Sequence, residues 1–260
     1  MSTSPQPKPR YGAAEQAAAS PFHDDRPTHM DYVTPVRGAR IILVRHGQTT
    51  GNISRRLDTA LPGAPLTDAG VTQARRLGRM LAPDAERITE IVTSHALRAR
   101  QTGAGAVAGL HHQGQTRVRL RHEAGLHEIQ AGVYEGRNDA AAHAAYMCAF
   151  YQWLDGDIDY RLPGGESGAE VLQRYLPALT TLIERSDSDN HDLIVVSHGA
   201  AIRVAAQYLT GVSPDYALHH RIPNTERIEL VPLSGAEPTI APGAWQVRRW
   251  GDSPLPQDAA

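Results

Sequence analysis

The chain has 260 residues with 26 Lys and Arg against 28 Asp and Glu, a formal net charge of −2 that excludes nucleic-acid binding through a global basic field. Its single cysteine, Cys148, excludes an intrachain disulfide and a cysteine-built zinc site. No apolar run approaches the ~20 residues that span a bilayer, and the amino terminus lacks the apolar segment of ~7–15 residues of a signal peptide, so a soluble, cytoplasmic protein is expected.

Residues 1 to about 37 are rich in Pro, Ala, Ser and charge without sustained periodicity, and read as a disordered tail. Next, Ile41-Ile42-Leu43-Val44 runs unbroken into Arg45-His46-Gly47, the pattern of a strand buried on both faces of an α/β sheet. Such sheets place ligand crevices at the carboxyl ends of strands. Arg45 and His46 are therefore predicted to face a pocket, with Gly47 turning the backbone tightly beneath a ligand. A long loop, Gln48 to Pro65, carries Asn52, Arg55, Arg56 and Thr59. Thr67 caps a predicted helix to about Leu81, with Val71, Ala74, Leu77 and Leu81 on one face and Pro83 as its stop.

Ile88 to Thr93 reads as a second strand, Leu97 to Leu110 as a helix with Arg98 at its start, and Arg117 to Leu120 as a half-buried or edge strand. After an irregular connection over Glu123 to Arg137, Asp139 to Leu154 is predicted to be an aromatic-bearing helix lying over the pocket as a lid. Ser167 to Arg185 follows as a helix with a kink expected at Pro177. The strand Leu193 to Val196 again delivers His-Gly, as Ser197-His198-Gly199, ahead of a helix over Ala200 to Leu209. Strands over Arg227 to Pro232 and Trp245 to Trp250 close the chain. The alternation predicts one three-layer α/β/α sandwich over residues 38–252, with a mostly parallel central sheet, a small lid insertion at about 126–165 and a loose carboxyl terminus over 253–260.

Two strands carrying histidine at the same end could place two imidazoles, His46 and His198, in one pocket. A histidine beside arginines suits phosphate, because the guanidinium fork fits phosphoryl oxygens and Arg45 and Arg98 could grip the group from two sides. The same cations disfavour an imidazolium and keep His46 neutral and nucleophilic. On the bland reading Arg45 and His46 only finish a strand, and Asn52 only turns a loop. The pairs His111-His112 and His219-His220 lack acidic or cysteine companions at ligand spacing, so no metal is expected. Tyr146 to Trp153 reads as core more than as a substrate platform.

Arg45-His46-Gly47, Asn52, Pro65-Leu66-Thr67-Asp68-Ala69-Gly70, Ser94-His95-Ala96-Leu97-Arg98, Leu126-His127-Glu128, Gly132, Glu135-Gly136, Pro163-Gly164-Gly165-Glu166-Ser167 and His198-Gly199 follow one another in this order. From roughly Arg40 to Trp250 the chain resembles the histidine phosphatase superfamily, the phosphoglycerate-mutase-like proteins. The resemblance implies that His46 attacks phosphorus and becomes a phosphohistidine, that Arg45, Arg98 and His198 hold the equatorial oxygens, and that Glu128 protonates the leaving group. Glu135 is the rival acid, and otherwise a loop anchor. Asn52 and the amides of Gly199 and Ala200, at the positive end of a helix, are expected as further donors.

Asp58-Thr59 stands where many relatives carry Gln-Gly or Thr-Gly, and Tyr134 where a tryptophan is common; both positions bear on substrate recognition. True mutases of the family carry a basic insertion with paired arginines, whereas Gly136 to Gly165 here holds only Arg137 and Arg161. The expected activity is a cofactor-independent phosphomonoesterase acting on a small phosphorylated metabolite. A 2,3-bisphosphoglycerate-dependent phosphoglycerate mutase is the alternative, and a non-catalytic phospho-ligand-binding module the second. No nucleic acid or membrane partner is expected, and a homodimer stays open.

Overall fold

The computed structural model describes residues 40–185, 191–233 and 238–255, and the tail expected over 1–37 lies outside them. In chain order the elements are β1 (Ile41–Arg45), α1 (Thr50–Ile53), α2 (Asp68–Leu81), β2 (Glu90–Thr93), α3 (Leu97–His112), β3 (Arg119–His122), α4 (Ala140–Leu154), α5 (Gly168–Arg185), β4 (Leu193–Ser197), α6 (Gly199–Thr210), α7 (Pro214–His219), β5 (Arg227–Pro232) and β6 (Trp245–Trp250).

Successive strand side chains point to opposite faces, and that period divides the core in two. Ile41 and Leu43 of β1, with Leu193 and Val195 of β4, join Phe150, Trp153, Tyr175 and Ile202 from α4, α5 and α6. Ile42 and Val44, with Ile194 and Val196, join Leu77, Leu81, Ala106 and Leu110 from α2 and α3. Burying each large aliphatic side chain is worth about 1.5–3 kcal/mol, so strands apolar on both faces hold the middle of the sheet. The strand order is β3-β2-β4-β1-β5-β6. The first four strands run parallel; β5 is antiparallel to β1, and β6 to β5. The β1–β4 register pairs Arg45 with Ser197, so the residues after the two strands emerge side by side.

Several predicted elements differ in detail. The strand expected over 117–120 lies two residues later, as an edge strand exposed along its length. Val71 is 39% exposed, and Gly70 takes its place on the buried face of α2. There a Cβ would stand 2.1 Å from the Gln48 carbonyl oxygen, so only glycine lets the helix approach that strand end. Helix α2 ends at Leu81 before Pro83, as expected, but the chain goes on turning. Pro83 sits in the first turn of a 3₁₀ segment, Ala82–Arg87, where its missing N–H costs nothing. Helix α5 runs on through Pro177. Of the terminus expected to be loose over 253–260, only 253–255 are described: Ser253 N donates to the Trp250 carbonyl, and the Pro254 carbonyl accepts from the Tyr216 hydroxyl. Among the described residues no helix is long and apolar enough to cross a membrane.

Candidate active site

The carboxyl ends of β1 and β4 meet where the His46 amide donates to the Ser197 carbonyl at 3.0 Å. The two imidazoles that follow lie 5.2 Å apart between ring centroids. His46 is 4% exposed, and its Nδ1 lies 2.7 Å from the Gly47 carbonyl oxygen. A carbonyl only accepts, so Nδ1 carries the proton and the Nε2 lone pair is free. Burial, then Arg98 and Arg45, push this imidazole well below its ordinary pKa and hold it neutral. Glycine at position 47 serves a different end from the turn beneath a ligand that was predicted: the backbone there packs on the start of α2, where a Cβ would stand 2.8 Å from the Gly70 carbonyl.

Two arginines flank this ring. Arg45 Nη1 donates to the Ile222 carbonyl at 2.7 Å, while its Nε is buried without a hydrogen-bond partner. Arg98 Nε donates to His198 Nδ1 at 3.2 Å, and its Nη1 is likewise buried and without a hydrogen bond, 3.8 Å from the Asp58 carboxylate. Gly63, at φ 72°, leaves room for this guanidinium, since a Cβ there would stand 2.2 Å from Nη1. Burial lowers the pKa of both arginines, yet they remain cations at neutral pH. Buried donors are rarely left unmade, so two of them beside one histidine mark a place shaped for an anion.

A cavity of about 410 Å³ opens here, lined by Arg45, His46, Asn52, Arg98, Glu128 and Gly199 among others. It gathers all the site residues predicted from sequence except His198. That residue is fully buried behind the wall, and its Nε2 meets Ser94 Oγ at 2.7 Å while its Nδ1 accepts from Arg98. Both ring nitrogens are thus engaged by protein. Glu128 lies in the cavity wall with its carboxylate on the first turn of α6: Oε1 accepts from Ala201 N at 2.9 Å and Oε2 from Ala200 N at 3.3 Å. The helix end expected to offer its Ala200 amide to a ligand therefore holds the protein's own acid, a favourable partner for its positive dipole. Gly199 lies under the Arg45 side chain.

Asn52 combines its two readings. Its Oδ1 accepts from Thr49 N at 3.1 Å, capping α1, and from Asn224 Nδ2 at 3.2 Å, which leaves its own Nδ2 as the remaining donor at the cavity. Glu135 is a loop anchor: its carboxylate accepts from the Thr59 and Ala60 amides and the Thr59 hydroxyl, and it does not line the cavity. The aromatic helix divides, with Phe150 and Trp153 in the core and His143, Tyr146 and Met147 facing the cavity.

Sequence reasoning missed four partners. Asn224 Nδ2 also donates to the His46 carbonyl at 2.9 Å. Ser94 orients His198. Arg174 of α5 donates to the carbonyls of Gly125, His127 and Glu128 and pairs with Glu166 at 2.7 Å, clamping the segment that carries Glu128. Arg221, from the loop after α7, lines the cavity. Of these, only Ser94 stood in a stretch singled out above, Ser94-His95-Ala96-Leu97-Arg98, and without a role toward His198.

Residues 41–253 match the histidine phosphatase superfamily (branch 1), and the chain belongs to that family. It is 31% identical over 193 residues to a 2,3-bisphosphoglycerate-dependent phosphoglycerate mutase of Methylobacterium radiotolerans, covering 72% of this chain and 89% of that one. It is 30% identical over 178 residues to a probable phosphoglycerate mutase of Proteus mirabilis, covering 68% and 77%. Among solved structures, a mycobacterial glucosyl-3-phosphoglycerate phosphatase in complex with VO3 shares the fold at TM-score 0.65 and 23% identity, covering 83% of this chain and 100% of that one.

Proposed function

We propose that the chain is a phosphomonoesterase that works through a phosphohistidine on His46. The observation that carries this reading is the pair of buried donors without a hydrogen bond, Arg45 Nε and Arg98 Nη1, beside a neutral histidine whose Nδ1 is tied and whose Nε2 is free. Phosphoryl transfer asks chiefly for positioning and for charge stabilisation by fixed donors, and these groups supply both. Nε2 forms a bond to phosphorus as the ester P–O bond breaks, and the leaving oxygen takes its proton from the Glu128 carboxyl. The Glu128 carboxylate then takes a proton from the water that attacks the phosphohistidine, releasing inorganic phosphate and restoring His46. His198 acts in this scheme through Arg98, by holding its Nε.

A second reading is a phosphoglycerate mutase, the activity named for the curated relatives above. The test common to both is an acid-labile phosphoenzyme labelled by a radioactive ester and lost in His46→Ala. The hydrolase also releases phosphate from para-nitrophenyl phosphate between about pH 5 and 8. No label and no release, together with tight phosphate binding, would leave only a binding module.

A further inference from the structure

The floor of the cavity accounts for one phosphoryl group, but the cavity holds more positive charge than one such group neutralises. Arg45, Arg55, Arg56, Arg98, Arg203 and Arg221 line it, against the carboxyl groups of Asp58 and Glu128. Six cations against two carboxylates leave an excess of four, and a phosphomonoester dianion offsets two. Like charges held this close repel unless an anion joins them. Burial chiefly, with Arg221 second, brings the Arg203 pKa down to about 10, and Arg221 also opposes the charge on Arg45.

Arg55, Arg56 and Arg221 stand at the outer part of this wall, exposed, and none has an ion-pair partner among the described residues. The loop carrying the first two is held in place. Arg55 adopts φ 54°, a left-handed conformation that costs a non-glycine residue about 1–2 kcal/mol. Its carbonyl accepts from His143 Nε2 at 2.8 Å, the Ser54 carbonyl accepts from Asn138 Nδ2 at 3.2 Å, and Leu57 N donates to the Arg137 carbonyl at 2.8 Å. These bonds fix the arginines to the lid and aim the loop at the cavity. Tyr146, Met147 and Ile222 supply apolar wall in the same cavity.

We infer that the leaving group of the substrate carries a second anionic group, a carboxylate or a second phosphate, and that Arg221 with Arg56 and Arg55 binds it while the apolar wall receives the carbon skeleton between the two anions. This rests on the phosphomonoesterase reading for the identity of the floor group, and adds to it the class of leaving group. The segment Gly136 to Gly165 holds only Arg137 and Arg161. The lid brings neither to the cavity, since Arg137 pairs with Asp139 and Arg161 with Glu170, but three other arginines come from distant loops.

Matched esters test the inference. Glycerol 3-phosphate and 3-phosphoglycerate differ in a hydroxymethyl against a carboxylate, and fructose 6-phosphate and fructose 1,6-bisphosphate differ in a second phosphate. Wild-type kcat/KM is expected to favour the charged member of at least one pair by about tenfold or more at low ionic strength, and the pair that shows it names the anion. In Arg221→Gln and Arg56→Gln the ratio falls toward one. A ratio near one in the wild type for both pairs, or a preference that survives both substitutions, overturns the inference. Calorimetric binding of the same four esters to the His46→Ala variant reads the subsite without turnover, so absence of hydrolysis would sink the phosphatase reading while the second-anion site is still decided.

Discussion

Arg98 Nε donates to His198 Nδ1 over 3.2 Å, and His198 Nε2, which must then carry the ring proton, donates to Ser94 Oγ at 2.7 Å. The guanidinium on α3 is thereby fixed by an imidazole from β4, which in turn is fixed by the end of β2. Two strand ends, those of β2 and β4, converge on one donor at the start of α3. His198→Ala removes the middle of that chain and frees Arg98, so kcat/KM for para-nitrophenyl phosphate is expected to fall by about 10²-fold or more. Ser94→Ala removes one outer hydrogen bond and should cost roughly tenfold or less. Equal losses in the two variants, with unchanged melting temperatures, would contradict this order of dependence.

Glu128 is expected to matter in proportion to the leaving group's need for a proton. Glu128→Gln should slow glycerol phosphate by about 10²–10⁴-fold and para-nitrophenyl phosphate far less, because nitrophenolate departs without protonation. A leaving-group series measured in both proteins reads the difference as a steeper dependence on leaving-group pKa. Parallel lines would remove the acid role.

Arg174 should act through Glu128 without touching substrate. Its guanidinium holds three consecutive-segment carbonyls and the Glu166 carboxylate, with both side chains mostly buried. Deleting one partner of a buried pair can cost about 3–5 kcal/mol of stability, so the informative change is Arg174→Lys, which keeps the charge and loses the fork. That variant should steepen the leaving-group dependence as Glu128→Gln does, while the inhibition constant for inorganic phosphate stays within about twofold. If phosphate affinity fell along with activity, Arg174 would be supporting the whole cavity and not the acid.

Much of this arrangement was legible because it is written locally. Apolar residues running into Arg45-His46-Gly47 and again into His198-Gly199 announce buried strands with chemistry at their ends, and the parallel register then leaves the two histidines no choice but to be neighbours. Arg98 was legible for the same reason, at a strand-to-helix boundary. What escaped was set by long-range packing. Nothing in the sequence near Arg174 points to carbonyls 46 to 49 residues away. His198's withdrawal from the cavity depends on Ser94, 104 residues distant. The Ala200 amide was mis-assigned because helix N-termini attract any anion, and Glu128 reaches it as part of the wall.

Protons should destabilise the fold below neutrality. His46 and His198 are buried and neutral, with pKa values held well below 6.5 by burial first and then by Arg98. In the unfolded chain both titrate near 6.5, so as pH falls below that value the unfolded state takes up protons that the folded state refuses. Stability from these groups is complete above about pH 6.5 and declines from there toward the depressed folded values, each imidazole adding a slope of at most about 1.4 kcal/mol per pH unit. The melting temperature is expected to drop between about pH 7.5 and 5.5, and to drop less in His46→Gln, where one of the two groups is gone. An unchanged slope in that variant would mean His46 is not neutral in the fold.

Hydrolysis against exchange turns on whether water reaches the phosphohistidine before the dephosphorylated product returns to it. A mutase must retain an acidic product and keep water out of a site where phosphohistidine would otherwise hydrolyse. Here the lid face over the cavity consists of His143, Tyr146 and Met147, its two nearby arginines are engaged by Asp139 and Glu170, and the cations that remain, Arg55, Arg56 and Arg221, are solvent-exposed. Exposed arginines bind an anion through a screened field and exchange it readily, so the product should leave while water enters. Phosphate release from 3-phosphoglycerate is expected to exceed its conversion to 2-phosphoglycerate by about tenfold or more, with no stimulation by 2,3-bisphosphoglycerate. Both rates are to be followed on one preparation, with and without the bisphosphate. Exchange that outruns release, and that rises when the bisphosphate is added, would replace the phosphatase reading with the mutase.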